Sequence, residues 1–91
     1  MAKLPKNLSQ HDIKLLRIFQ TVVDCGGFTA AETELNIGRS TISIYIANLE
    51  QRLKLSLCQR GRQGFSLTRE GQAVYNAIVP LEQAHQQFSQ L

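Results

Sequence analysis

Residues 28–50 read FTAAETELNIGRSTISIYIANLE, two short apolar-periodic segments split by Asn36-Ile37-Gly38. Thr29 and Glu32 stand at the T-x-x-E spacing of a capping box, which predicts a helix from Ala30. That helix ends at Leu35. Asn36-Ile37-Gly38 then supplies a sharp turn, because Asn and Gly tolerate the left-handed backbone a tight corner needs. A second helix is expected over about 39–53, with Gly38 or Ser40 as its N-cap. Ile42, Ile46, Leu49 and Leu53 recur at the helical period and form its buried stripe. On the opposite side fall Ser40, Ile44, Ala47, Asn48 and Gln51, flanked by Arg39, Thr41, Ser43, Tyr45 and Arg52. A face so short-chained, polar and poor in acid suits a helix that enters a DNA major groove. The pattern is that of a helix-turn-helix.

C-terminal to this motif the period changes. Leu55, Leu57, Phe65 and Leu67 alternate with polar residues on either side of Gly61-Arg62-Gln63-Gly64, which predicts a β-hairpin with its tip at those four residues. A hairpin over 57–67, directly after a recognition helix, is a wing. Arg60 and Arg62 place cations on its strand and tip, within reach of phosphates or the minor groove. Thr68 then caps a last helix that runs to Leu91, about 35 Å at 1.5 Å per residue and too long to pack wholly on so small a domain. Val74, Leu81 and Phe88 share one heptad position, Ala77, Ala84 and Leu91 another, and Ile78 broadens the stripe. These residues predict a partner helix, most simply that of a second copy in a two-fold homodimer. Pro80 deletes a backbone hydrogen bond inside this helix and should bend it.

N-terminal to the motif, residues 1–8 form a polar lead-in. Ser9 is the expected N-cap of a first helix, with the Asp12 carboxylate in its first turn where the helix dipole favours it. Ile13, Leu16, Phe19 and Val23 make one stripe, widened by Leu15, Ile18 and Val22, and Gly26-Gly27 ends the helix. So broad an apolar face belongs in a core. His11, in the first turn with no second ligand near it in sequence, is a surface histidine.

Length and charge bound the function. Ninety-one residues make one domain near the lower limit for a self-sufficient core. No apolar run of about 18 residues exists to span a membrane. The N-terminal MAKLPKNLSQ lacks the apolar stretch of a secretory signal, so a cytoplasmic protein is expected. The net charge of +3 is unevenly placed: residues 39–69 carry six bases and one acid, and the rest of the chain is acidic overall. A basic block coinciding with the recognition helix and wing is the footprint of a phosphate-contacting surface. Cys25 and Cys58 show no metal-ligand spacing and are read as small buried hydrophobes. No nucleophile elbow, paired carboxylates, phosphate-binding glycine loop or Cys/His cluster occurs, so neither an enzyme nor a cofactor or metal site is expected.

Between Leu8 and about Tyr75 the chain resembles the N-terminal DNA-binding domain of LysR-type transcriptional regulators. The matching landmarks are Phe19, the GGFTAAETEL segment, Ser43-Ile44-Tyr45-Ile46 leading to Leu49-Glu50, then Leu53, Leu57, Arg60 and Leu67-Thr68-Arg69-Glu70-Gly71. The resemblance implies a mostly α fold with a small β-hairpin: a winged helix-turn-helix over 1–67, and a linker and dimerisation helix over 68–91. It also implies an effector-binding domain that this chain does not contain. Double-stranded DNA is the implied partner, with Thr29, Arg39, Ser40, Thr41, Ser43, Ile44, Asn48, Arg52, Arg60 and Arg62 as candidate contacts. A winged helix serving as a protein-interaction module is the competing reading. The chain departs from the usual family pattern at Gly38 (Ser or Thr), Arg39 (Gln), Ile44 (polar or basic), Lys54 (Gly) and Cys58 (Phe). Arg39 and Ile44 fall on the DNA-facing helix, so the family's base preferences do not transfer to them.

Overall fold

The first helix, α1 (Gln10–Cys25), is fixed at both ends by its own sequence. Ser9 Oγ accepts the Asp12 N–H and the Asp12 carboxylate accepts the Ser9 N–H, each at 3.1 Å, a reciprocal capping box. At the other end Gly26 adopts φ 87, and its N–H reaches the Val22 and Val23 carbonyls at 3.1 Å. The structure is a computed structural model that describes residues 8–61 and 64–78, with 60–61 described through the backbone alone. Within α1 the buried apolar residues are Leu15, Leu16, Ile18, Phe19 and Val22, whereas Ile13 is 38% exposed and Val23 half-buried. The expected stripe is therefore rotated away from Ile13 and Val23, because α2 and α3 both pack against the Leu15–Val22 side. Ile13 instead lines an open groove of about 580 Å³ with Ile37 and Tyr45.

Helix α2 spans Phe28–Leu35 and starts two residues earlier than the sequence predicts, with Gly27 as an N-cap that has no side chain to offer. The Thr29–Glu32 capping box does not form. Phe28 is the reason: its ring is buried and meets Phe65 edge-to-face, centroids 5.8 Å apart and planes at 83°. Full burial of such a ring contributes roughly 1.5–3 kcal/mol, against about 1 kcal/mol for one side-chain cap. Asn36 follows at φ 56 and supplies the left-handed corner, while Gly38 sits at φ −72 in ordinary extended backbone. The turn thus needs only one left-handed residue, and it is Asn36 rather than Gly38.

Helix α3 covers Arg39–Leu53 with Gly38 as N-cap, and Ile42, Ile46 and Leu49 are buried with Leu53 half-buried. Gly38 cannot cap by a side chain. The Glu32 carboxylate does so instead, accepting the Arg39 N–H at 2.5 Å across the turn. The helix ends at Lys54, φ 57, whose N–H bonds the Glu50 carbonyl. The Glu50 carboxylate accepts the Leu57 N–H at 2.7 Å and so sets where the hairpin begins.

Strands β1 (Cys58–Gly61) and β2 (Gly64–Leu67) pair antiparallel, from Cys58 opposite Leu67 to Gly61 opposite Gly64. The wing therefore starts at Cys58. Leu55 lies in the preceding turn, and Leu57, just ahead of the strand, is fully buried. Thr68 caps the last helix, α4 (69–78), by accepting the Gly71 N–H at 2.9 Å, while its hydroxyl donates to the Ser56 carbonyl at 2.5 Å. Gly71 lets α4 lie on the wing's root, since a Cβ there would fall 1.9 Å from the Leu57 carbonyl oxygen. Val74 and Ile78, expected to face a partner helix, are 1% and 3% exposed and pack into the chain's own core. This corrects their assignment to a dimer seam: the first turns of α4 must cover Leu57 and α1, and of the described members of that set only Ala77 stays half-buried. The Pro80 bend and the seam positions Leu81, Ala84, Phe88 and Leu91 lie outside the described residues.

Candidate nucleic-acid interface

Burial of Ile42, Ile46 and Leu49 determines which way the rest of α3 points. Ser40, Thr41, Ile44, Ala47, Asn48 and Gln51 are exposed, and Ser43 and Tyr45 are half-buried on the flanks. Ile44 is 59% exposed in the middle of this face. No carboxylate of α3 interrupts it, because Glu50 turns inward to the Leu57 N–H. The one acid in the basic block thus anchors the segment leading into the hairpin.

Thr29, Arg39 and the wing meet in one place. Gly26, Gly27, Phe28, Thr29, Ala30, Arg39, Gly64 and Phe65 line an open groove of about 480 Å³. It joins the first turn of α2, the first residue of α3 and the start of β2. No side chain caps α2, and the positive end of its dipole lies at the residues lining that groove, beside the exposed Arg39. The local sequence marks Thr29 and Arg39 singly. It carries no signal that Gly64 and Phe65 close the groove, because that follows from the Phe28–Phe65 ring contact between distant segments. Lys14 likewise escapes a reading of the sequence: its ammonium lies 5.1 Å from the Tyr45 ring centroid, which places a cation from α1 on the flank of α3.

Arg52 is placed elsewhere. Its guanidinium pairs with the Asp12 carboxylate, whose side chain is 7% exposed against 51% for Arg52. A buried carboxylate without a cation is strongly unfavourable, so Asp12 holds Arg52 against α1 while about half of the Arg52 side chain stays open to solvent. The Arg52 guanidinium, followed by the Ser9 N–H, holds the Asp12 carboxyl below its ordinary value of 3.8. On the far side, the Tyr75 hydroxyl donates to the Asp24 carboxylate and ties α4 to the last turn of α1. That bond to Asp24 pushes the Tyr75 phenol above its usual range.

The Arg60 side chain and the whole of Arg62 lie outside the described residues. Cys25 and Cys58 form no disulfide and are half-buried, packed against the core. Among the described residues, no group of three or more His, Cys, Asp or Glu side chains is placed to hold a metal ion, and no helix is long and apolar enough to cross a membrane.

Known proteins share both the sequence and the geometry. The sequence profile described as "Bacterial regulatory helix-turn-helix protein, lysR family" matches residues 13–72. The "HTH-type transcriptional activator BauR" of Pseudomonas aeruginosa is 53% identical over 81 residues, covering 89% of this chain and 27% of that protein. The "Probable HTH-type transcriptional regulator LrrA" of Synechococcus elongatus is 38% identical over 74 residues, covering 81% of this chain and 25% of that protein. The chain thus spans about a quarter of the length of these relatives. Among solved structures, the "BenM_DBD/catB site 1 DNA Complex" superposes with a TM-score of 0.80 at 32% identity, covering 86% of this chain and 87% of that one. The "CbnR_DBD-DNA complex" gives 0.72 at 28% identity, covering 86% and 91%. With the profile match covering more than half of its residues, the chain belongs to the lysR family of bacterial regulatory helix-turn-helix proteins.

Proposed function

We propose that this chain is the sequence-specific, double-stranded-DNA-binding part of a bacterial transcription regulator, with α3 in the major groove and the wing on the backbone or in the minor groove. The observation that carries this reading is the exposed face of α3. Ser40, Thr41, Ile44, Ala47, Asn48 and Gln51 are all open, uncharged and free of carboxylate. A surface meant for a protein partner has no need to exclude acids, whereas a surface facing phosphates does. Support comes also from the fold's similarity to the BenM and CbnR domains, both solved with DNA.

In this arrangement Thr29 and Arg39 seat a backbone phosphate in the groove beside Gly64. Ser43 and Asn48 bond base edges or phosphates. The domain acts by binding alone, with no cofactor, metal or covalent chemistry, in the cytoplasm where its operator lies. A small-molecule effector belongs to the remainder of a longer regulator. The test is selection of bound sequences from a random duplex pool, followed by affinity across a salt series. A consensus with steep salt dependence supports the reading. Weak binding with no consensus favours a protein-interaction module.

A further inference from the structure

Ile44 is left uncovered by the domain. It lies opposite the stripe of Ile42, Ile46 and Leu49, which are 0%, 1% and 2% exposed, and is itself 59% exposed. Only one other large apolar side chain among the described residues is exposed, Ile13, and that one sits in a groove between helices. Ile44 stands instead on an open helix face. The residues one turn away on that face are Ser40, Thr41, Ala47 and Asn48, all exposed and uncharged. No long aliphatic stem from an Arg of α3 is available to cover it, since Arg39 stands at the helix start and Arg52 is held by Asp12.

We propose that Ile44 is a base-reading residue whose side chain seats against the 5-methyl group of a thymine. This rests on the reading of α3 as the major-groove helix. The floor of that groove offers hydrogen-bond donors and acceptors at every base pair and a single apolar feature, the thymine methyl. A branched aliphatic side chain cannot satisfy a donor or acceptor. Placed over a cytosine amino group or a guanine carbonyl, it strips water from that group and returns nothing. Ile44 therefore favours thymine by contact and disfavours the other bases by desolvation. The flanking Ser40, Thr41 and Asn48 are short enough to let the helix approach closely, and Ala47 adds a second methyl-sized contact on the same side.

The experiment uses the preferred duplex from the selection above, with deoxyuridine replacing thymine at one position at a time. Uracil keeps every hydrogen-bonding group and lacks only the methyl. Wild type is expected to bind about fourfold more weakly at one position, the equivalent of one buried methyl-sized group. Ile44→Ala should bind thymine and uracil equally at that position and keep the wild-type response at all others. Because Ile44 is exposed, the variant's folded state is checked by an unchanged unfolding midpoint. Indifference of the wild type to uracil everywhere overturns the proposal, and so does a thymine preference that survives in Ile44→Ala at the position where wild type shows it. If the selection yields no consensus at all, the failure lies in the DNA-reading function itself.

Discussion

Lys54 is a residue whose backbone is at odds with its side chain. It ends α3 at φ 57, a left-handed conformation that costs an ordinary L-residue roughly 1 kcal/mol or more. Lys54→Gly is expected to raise stability by about 1 kcal/mol in urea unfolding, with the slope unchanged. An unaltered midpoint would show that the cap strain is relieved in some other way. Asp12 poses a different question, because its carboxyl is held below 3.8 in the folded chain by Arg52 and then by the Ser9 N–H. Near and below pH 3.8 the unfolded chain therefore binds more protons than the folded one. The stability contributed by Asp12 is fully present above 3.8 and disappears as pH falls through the folded value. Thermal unfolding between about pH 6 and 3 should show a steeper acid decline for wild type than for Arg52→Ala, which starts from a lower melting temperature. Parallel curves for the two proteins would remove Arg52 as the cause.

At the scale of elements, the corner between α2 and α3 depends on a cap supplied from outside the helix it caps. Glu32 accepts the Arg39 N–H because Gly38 has no side-chain oxygen. Glu32→Ala should cost about 1 kcal/mol, within the range for removal of an N-cap. Gly38→Ser supplies a local cap and should recover more stability in the Glu32→Ala background than in wild type. A double-mutant cycle with no coupling would mean that Glu32 and position 38 do not serve the same N–H groups. The wing invites a separate measurement. If Arg60 and Arg62 touch phosphates only, replacing both by Ala weakens all duplexes alike and flattens the salt slope by about one unit for each phosphate set free. A changed consensus would make the wing a base reader.

Assembly is the question at the scale of the whole molecule. Val74 and Ile78 fill the domain's own core, Gly71 seats α4 on the Leu57 carbonyl, and Tyr75 bonds Asp24. The start of α4 is therefore held in a fixed direction on the domain. We propose that a second copy pairs through the remaining heptad positions, Leu81, Ala84, Phe88 and Leu91, with Ala77 at the edge. Leu81→Asp would place a charge in that seam. It is expected to yield a folded monomer by sedimentation and to abolish simultaneous binding of two half-sites. A dimer that survives this substitution would put the interface elsewhere.

Local chemistry determined much of this protein without help from the fold. The Ser9–Asp12 pair, Gly26, Asn36, the span of α3, the Thr68 cap and the exposed Ile44 are all readable from neighbours within a turn or two, because caps, turns and helix faces are short-range. The period-two run on either side of Gly61–Gly64 marked the wing. What the sequence could not settle was every choice between two partners for one group. Thr29 and Glu32 had the spacing of a cap, yet Phe28 was drawn to Phe65 and Glu32 to Arg39. Arg52 had the charge of a phosphate contact, yet a buried Asp12 claimed it. Val74 and Ile78 had the spacing of a partner-facing stripe, yet the nearest apolar surface was the chain's own. In each case the local pattern admitted two partners for one group, and burial or pairing against another element decided between them.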